Sequence, residues 1–187
     1  MRLLPPRPWR FLLVVALCLA AQPTLAASGG SDGEEVYLAP EDFLAETFPD
    51  AVPGPQVLWL GDQLQERSRG ILHHAYPALR VRYWRQGERT AWILEEVGKE
   101  RPITTGIVVD GGRIERVQVL IYRESRGFEV RYPAFTRQFE GARLREGREA
   151  EALDQRIDGI SGATLSVSAL KRLAALALVF HRSVTDG

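Results

Sequence analysis

Cysteine is almost absent from this chain of 187 residues: Cys18 is the only one. A single thiol excludes an internal disulfide, a thiolate metal site and a haem-attachment motif. Cys18 also lies within an apolar N-terminal run, and Leu17 stands before it, where a lipid-anchored leader requires a small residue. The rest of the chain therefore folds by packing alone, which suits a bacterial periplasm better than a disulfide-stapled secreted module. An excess of either charge is missing too, with 24 basic and 24 acidic residues. That balance argues against a dedicated nucleic-acid binder, which usually shows a basic stripe. There is no internal repeat, and no second long apolar run like the N-terminal one, so the chain beyond residue 26 is expected to be a soluble domain.

The N-terminus reads as a leader. Arg2, Arg7 and Arg10 form a basic region, and Phe11 to Ala21 is apolar. That run is shorter than the about 20 residues that span a bilayer. Thr24-Leu25-Ala26 supplies small residues at cleavage spacing. The expectation is a signal peptide over 1–26, cleaved near Ala26, with export to the periplasm; an uncleaved N-terminal anchor is the alternative. Residues 27–35 are small and polar and read as a tether. Residues 36–100 hold N-terminal helices and a first hairpin of the same domain, and 101–182 form its binding core.

The pattern of elements follows from periodicity. Pro40 to Phe48 predicts a short helix with acidic residues in its first turn. A second helix opens at Gly61-Asp62 and runs to about Tyr76, carrying Leu64, Ile71, Leu72 and Ala75 on one face. Leu79 to Trp84, Thr90 to Val97, Ile103 to Val109 and Ile114 to Tyr122 read as strands. Asp110-Gly111-Gly112 between the last two is a hairpin signal, because glycine accepts the positive φ of such turns. Pro133 to Phe139 predicts a short helix and Gly141 to Ala150 a charged loop. The last helix is expected from about Ser166 to His181, with an unbroken apolar octet, Leu173 to Phe180, that demands burial on most sides. The fold class is α+β: an antiparallel sheet of four or more strands with packed helices and a long C-terminal helix.

One stretch carries chemistry. Asp158-Gly159-Ile160-Ser161-Gly162-Ala163-Thr164 runs into Leu165-Ser166-Val167-Ser168 at the start of that helix. A helix start leaves backbone N–H groups without intrahelical partners, and the helix dipole is positive there, so a phosphate is favoured. Gly162 and Ala163 let a ligand approach the backbone. Thr164 offers a hydroxyl beside that anion site, and Ser166 or Ser168 is placed to cap the helix.

The segment Asp158 to Thr164 resembles the flavinylation motif of the FMN-binding domain family. That family includes a flavin-bearing component of the sodium-pumping NADH:quinone oxidoreductase, another of the Rnf electron-transport complexes, and stand-alone exported FMN proteins. The resemblance covers about 103–181. Gly106 before the hairpin, the turn Glu124-Ser125-Arg126-Gly127 and Phe135-Thr136-Arg137-Gln138-Phe139 add to it. Arg126 stands where the family carries proline. The resemblance implies covalent FMN, held by a phosphoester on Thr164. It implies attachment by a flavin transferase that uses FAD and Mg, and a membrane or periplasmic redox partner. Asp158, Gly159, Ser161, Gly162, Ala163 and Leu165 are implied as motif or cofactor-binding residues, and Glu124 and Ser125 as FMN contacts. The function implied is periplasmic electron carriage rather than catalysis by the chain itself.

Plainer readings stand beside these. Ser-Gly-Ala-Thr alone is a common capping string, and Asp158 suits a hydrogen bond to its own turn at Gly159 and Gly162. Glu124 and Ser125 also suit a turn. His73 and His74 are adjacent and cannot chelate as an i,i+4 pair; no metal site is expected. Trp59, Trp84 and Trp92 are expected in core or edge packing. A module that binds FMN without a covalent bond, as a sensor or assembly part, is one alternative function. A serine hydrolase using Ser161 in a relaxed nucleophile elbow is another, but that chemistry needs a preceding strand, a parallel sheet and a later Asp followed by His.

Overall fold

The computed structural model describes residues 33–145 and 152–186. The expected leader, residues 27–32 of the tether and residues 146–150 of the charged loop lie outside the described residues. Six strands form one sheet: β1 (Glu35–Val36), β2 (Gln56–Trp59), β3 (Arg80–Gln86), β4 (Arg89–Val97), β5 (Pro102–Asp110) and β6 (Arg113–Tyr122). Their order is β1-β6-β5-β4-β3-β2, and every neighbouring pair is antiparallel. The four central strands are those read from the sequence. The two edges are additions: Glu35, expected in the tether, pairs with Tyr122, and Gln56–Trp59 pairs with Arg80–Tyr83.

The β5–β6 hairpin closes at Asp110↔Arg113. Its two central residues are Gly111 and Gly112, with φ of 55° and 73°. A two-residue turn that matches strand twist needs positive φ at both positions, which Gly-Gly meets. Asp110 is thus the last strand residue, and it faces Arg89 at 3.3 Å.

Each face of the sheet is covered differently. The chain leaves β1 at one edge and reaches β2 at the other, so α1 (Pro40–Thr47) crosses the sheet between them. Phe43, Leu44 and Phe48 bury against Ala91, Val108 and Leu120. Gly106 makes room for this packing: a Cβ there would lie 2.7 Å from the Phe43 ring.

The opposite face carries α4 (Thr164–Thr185), which packs on β4, β5 and β6 and beneath α2 (Asp62–Leu72). Every residue from Leu173 to His181 is buried, as the apolar octet requires. Phe139, Ala142, Leu144, Leu153 and Ile157 close the same core from the segment around α3 (Pro133–Thr136) and beyond it. The helix is long and apolar enough to cross a membrane by composition, but 72% of its apolar window is buried inside the fold. Burial of a leucine or phenylalanine side chain is worth about 1.5–3 kcal/mol, so α4 contributes substantially to the cohesion of the fold.

Trp92 is fully buried and stacks on Tyr83 with ring centroids 5.0 Å apart. Trp59 is on edge strand β2 and 67% exposed.

Candidate functional site

The site forms where three chain segments meet at one end of the sheet: the β4–β5 turn, the turn after β6 and the start of α4. The Tyr122 hydroxyl joins two of them. The Tyr122 hydroxyl, at the end of β6, donates to the Arg126 carbonyl and lies 3.1 Å from Ser166 Oγ. With its own proton committed to Arg126, the Tyr122 oxygen accepts the proton of Ser166. Burial, the largest influence on Tyr122, raises the phenol's pKa, so it stays neutral. Gly127 adopts φ +84°, and a Cβ there would lie 3.0 Å from both Ser166 Oγ and the Tyr122 hydroxyl.

Glu124 ties the third segment in. Its Oε1 accepts backbone N–H bonds from Lys99, from Glu100 at 2.8 Å and from Arg101 at 3.1 Å. Burial alone would raise its pKa; these donors outweigh burial and lower it. Gly98 is the close-approach residue here, since a Cβ would stand 2.9 Å from Glu124 Oε1 and 3.4 Å from Ser166 Oγ.

The helix begins two residues earlier than its apolar pattern predicts. Thr164 is its first residue and Ala163 its N-cap, and no side chain caps it. The expectation that Ser166 or Ser168 caps this end is therefore corrected. Ser166 lies in the first turn, 4% exposed, and is spent on Tyr122. Val167 N–H makes the bond to the Ala163 carbonyl, at 2.9 Å. The first-turn N–H groups before it have no carbonyl four residues back within the helix. An uncapped helix start of this kind favours an anion.

A cleft of about 550 Å³ opens on that helix end. Glu124, Ser125, Gly162, Ala163, Thr164 and Leu165 all line it, together with Lys99, Arg126 and Ser166. Its size falls within the range of small-molecule sites, roughly 300–1,000 Å³. Thr164 is exposed. Gly162 has φ +82° and nothing within 4 Å of where a Cβ would be, so the backbone is open to a ligand. Ala163 is small and only 3% exposed, so its methyl does not fill the cleft. Leu165, 51% exposed, supplies apolar surface.

Asp158, Gly159 and Ser161 are exposed and do not line this cleft. The expectation that Asp158 bonds its own turn is corrected: its carboxylate faces Arg156 Nε at 3.3 Å, and its N–H donates to Gln138 Oε1 at 2.8 Å. That bond links the motif to the Phe135–Phe139 segment. Sequence reasoning did not single out Gly98, Lys99 or Tyr122, and named Gly127 only as part of the turn after Glu124. Their roles arise from segments distant in sequence, and only the glycines gave any signal.

The hydrolase alternative lacks its scaffold. The six-stranded sheet is antiparallel, among the described residues no strand leads directly into Ser161, and Ser161 sits in an exposed turn. His181 is 17 residues beyond Thr164 on the same helix, roughly 25 Å along its axis. Among the described residues, no cluster of three His, Cys, Asp or Glu side chains is placed to hold a metal.

A phosphate-bearing cofactor fits this cleft: it offers open N–H donors, a backbone free of side chains at Gly162 and a hydroxyl in one place. No curated protein matches the chain. Residues 98–179 match the model of a family described as the FMN-binding domain, a span that begins at Gly98 and takes in Glu124, Ser166 and most of α4. The segments that build the cleft are thus the segments that match this family model, and the match over residues 98–179 supports an FMN-binding domain there, with FMN as the cofactor.

Proposed function

We propose that this protein is an exported electron carrier whose FMN is attached through a phosphoester to Thr164. The observation that carries the reading is the position of Thr164: an exposed hydroxyl on the first residue of an uncapped helix, lining the cleft with Glu124 and Ser125. In the attachment step Thr164 Oγ attacks the flavin-side phosphorus of FAD. The pyrophosphate bond breaks, AMP leaves, and the threonine proton passes to the Mg-dependent transferase that catalyses the exchange. The first-turn N–H groups hold the phosphate against Thr164.

When bound, FMN supplies one- and two-electron transfer. The chain's part is to hold and orient. Among carboxylates lining the cleft, Glu124 is the sole one, and its Oε1 is committed to three backbone donors. That arrangement supports a carrier rather than an acid–base catalyst. The expected leader over residues 1–26 supports export, where a covalent bond prevents loss of the flavin by dilution, and implies a membrane or periplasmic redox partner.

Co-expression with a flavin transferase tests the reading. The chain is expected to stay yellow after denaturation and to gain the mass of FMN less water, and Thr164→Ala to abolish both. An unmodified native chain beside a transferase that modifies a control substrate overturns covalent attachment. Flavin that binds but washes out on denaturation supports non-covalent binding instead.

A further inference from the structure

The charges that line the cleft are not equally free. Glu124 is occupied by the backbone of residues 99–101. Lys99 Nζ is 2.9 Å from Glu100 Oε1. Nearby Arg123, on the same turn, is held by Glu34 at 2.8 Å and by Thr104 Oγ1 at 2.9 Å. Arg126 differs from all of these. It lines the cleft with Thr164, its side chain is exposed, and it has no ion pair among the described residues. Its backbone is fixed, because its carbonyl accepts the buried Tyr122 hydroxyl and Gly127 turns the chain just after it. A fixed stem with an uncommitted guanidinium is what an anion clamp requires.

Resting on the attachment of FMN to Thr164, we propose that Arg126 is the phosphate-positioning residue of this site. Its guanidinium closes on the phosphate from the β6 side, opposite the N–H groups of α4. A phosphodiester on Thr164 retains one negative charge, which a guanidinium matches with two parallel hydrogen bonds. Before attachment the same group holds the pyrophosphate of the FAD donor. The contact discriminates phosphate-bearing flavins from riboflavin by charge. Lysine at this position preserves the charge but not the fork; glutamine preserves neither.

The test uses the full chain with a flavin transferase and FAD, comparing wild type, Arg126→Gln and Arg126→Lys for attachment rate and for the ³¹P resonance of the attached flavin. The expected result is an attachment rate at least about tenfold lower for Arg126→Gln, with substantial recovery in Arg126→Lys. The ³¹P resonance is expected to move in Arg126→Gln and to return towards its wild-type position in Arg126→Lys. Equal rates and equal resonances in wild type and Arg126→Gln overturn the proposal and leave attachment intact. A lower rate with an unmoved resonance also overturns it, assigning Arg126 to contact with the transferase. An unmodified wild type removes the underlying reading, and this proposal with it. Thermal unfolding of each variant shows that the fold is kept; if Arg126→Gln does not fold, Arg126→Ala takes its place, and a rate and resonance equal to wild type overturn the clamp.

Discussion

The hydroxyl of Tyr122 lies 3.1 Å from Ser166 Oγ, joining the last residue of β6 to the first turn of α4. The same phenol holds the Arg126 carbonyl, so one buried group fixes two walls of the cleft. Tyr122→Phe leaves the Ser166 proton and the Arg126 carbonyl without these partners. The expected cost is about 1–3 kcal/mol, read as a lower urea midpoint at unchanged m. The rate of flavin attachment is expected to fall as well, because the turn bearing Arg126 is no longer held. An unchanged midpoint with a normal attachment rate contradicts this role for the pair.

Gly106 and Phe43 are expected to be coupled. A Cβ at 106 meets the Phe43 ring at 2.7 Å, on a side chain that is fully buried between α1 and the sheet. Gly106→Ala is therefore expected to cost about 1–3 kcal/mol by overpacking. In a Phe43→Ala background the added methyl enters space already vacated and costs little. A double-mutant cycle measures this, and additive costs would count against the contact.

Stability is expected to depend on pH through His181. Its Nε2 accepts the Gly112 N–H at 3.2 Å, so Nδ1 carries the proton and donates to Thr90 Oγ1 at 2.8 Å. Burial is the largest influence and lowers the pKa. The unfolded chain then binds a proton at His181 that the folded chain refuses, so this contribution is full above the unfolded value near 6.5 and is lost as pH falls through the folded value. His74 acts in the opposite sense. The Ala75 carbonyl, then Glu96, raises its pKa against the effect of desolvation, so its contribution is full below the ordinary value and fades as pH rises through the folded one. Urea midpoints between pH 5 and 8 are expected to show a steeper fall toward acid in His74→Gln than in wild type, and a shallower one in His181→Gln. Parallel profiles for all three proteins refute the assignment.

The cohesion assigned to α4 is open to the same kind of measurement. Leu173 is completely buried in the main core. Leu173→Ala is expected to cost about 2–5 kcal/mol, read from denaturant unfolding. A cost below about 1 kcal/mol would show that the helix contributes less than its burial indicates.

The four central strands and α4 were legible from different signals. Tyr83 falls on the buried side of the alternating Leu79–Trp84 run, the Asp110-Gly111-Gly112 turn marks the β5–β6 pair, and Leu173–Phe180 admits no solvent face. Strands β1 and β2 were not, since two and four residues cannot show alternation. Glu35–Val36 and Gln56–Trp59 are strands because β6 and β3 offer ladders to them. At the site, Thr164 could be placed from its motif, but Ser166 could not. A serine in the first turn has the same sequence signature whether it caps the helix or turns inward to a tyrosine 44 residues earlier. Gly98 was likewise hidden, and Gly127 was legible only as a turn residue, because what demands their missing side chains is Glu124, Tyr122 and Ser166, brought there by tertiary packing.

The central claim is one bond on one oxygen, and a single peptide reports on it. Cleavage after Arg156 and Lys171 releases Ile157–Lys171, which contains Ser161, Thr164, Ser166 and Ser168 as competing hydroxyls. Fragmentation of this peptide from protein made with a flavin transferase is expected to place the whole flavin phosphate mass on Thr164, the exposed first residue of α4. Flavin on Ser161, Ser166 or Ser168, or a peptide with none, would contradict the account.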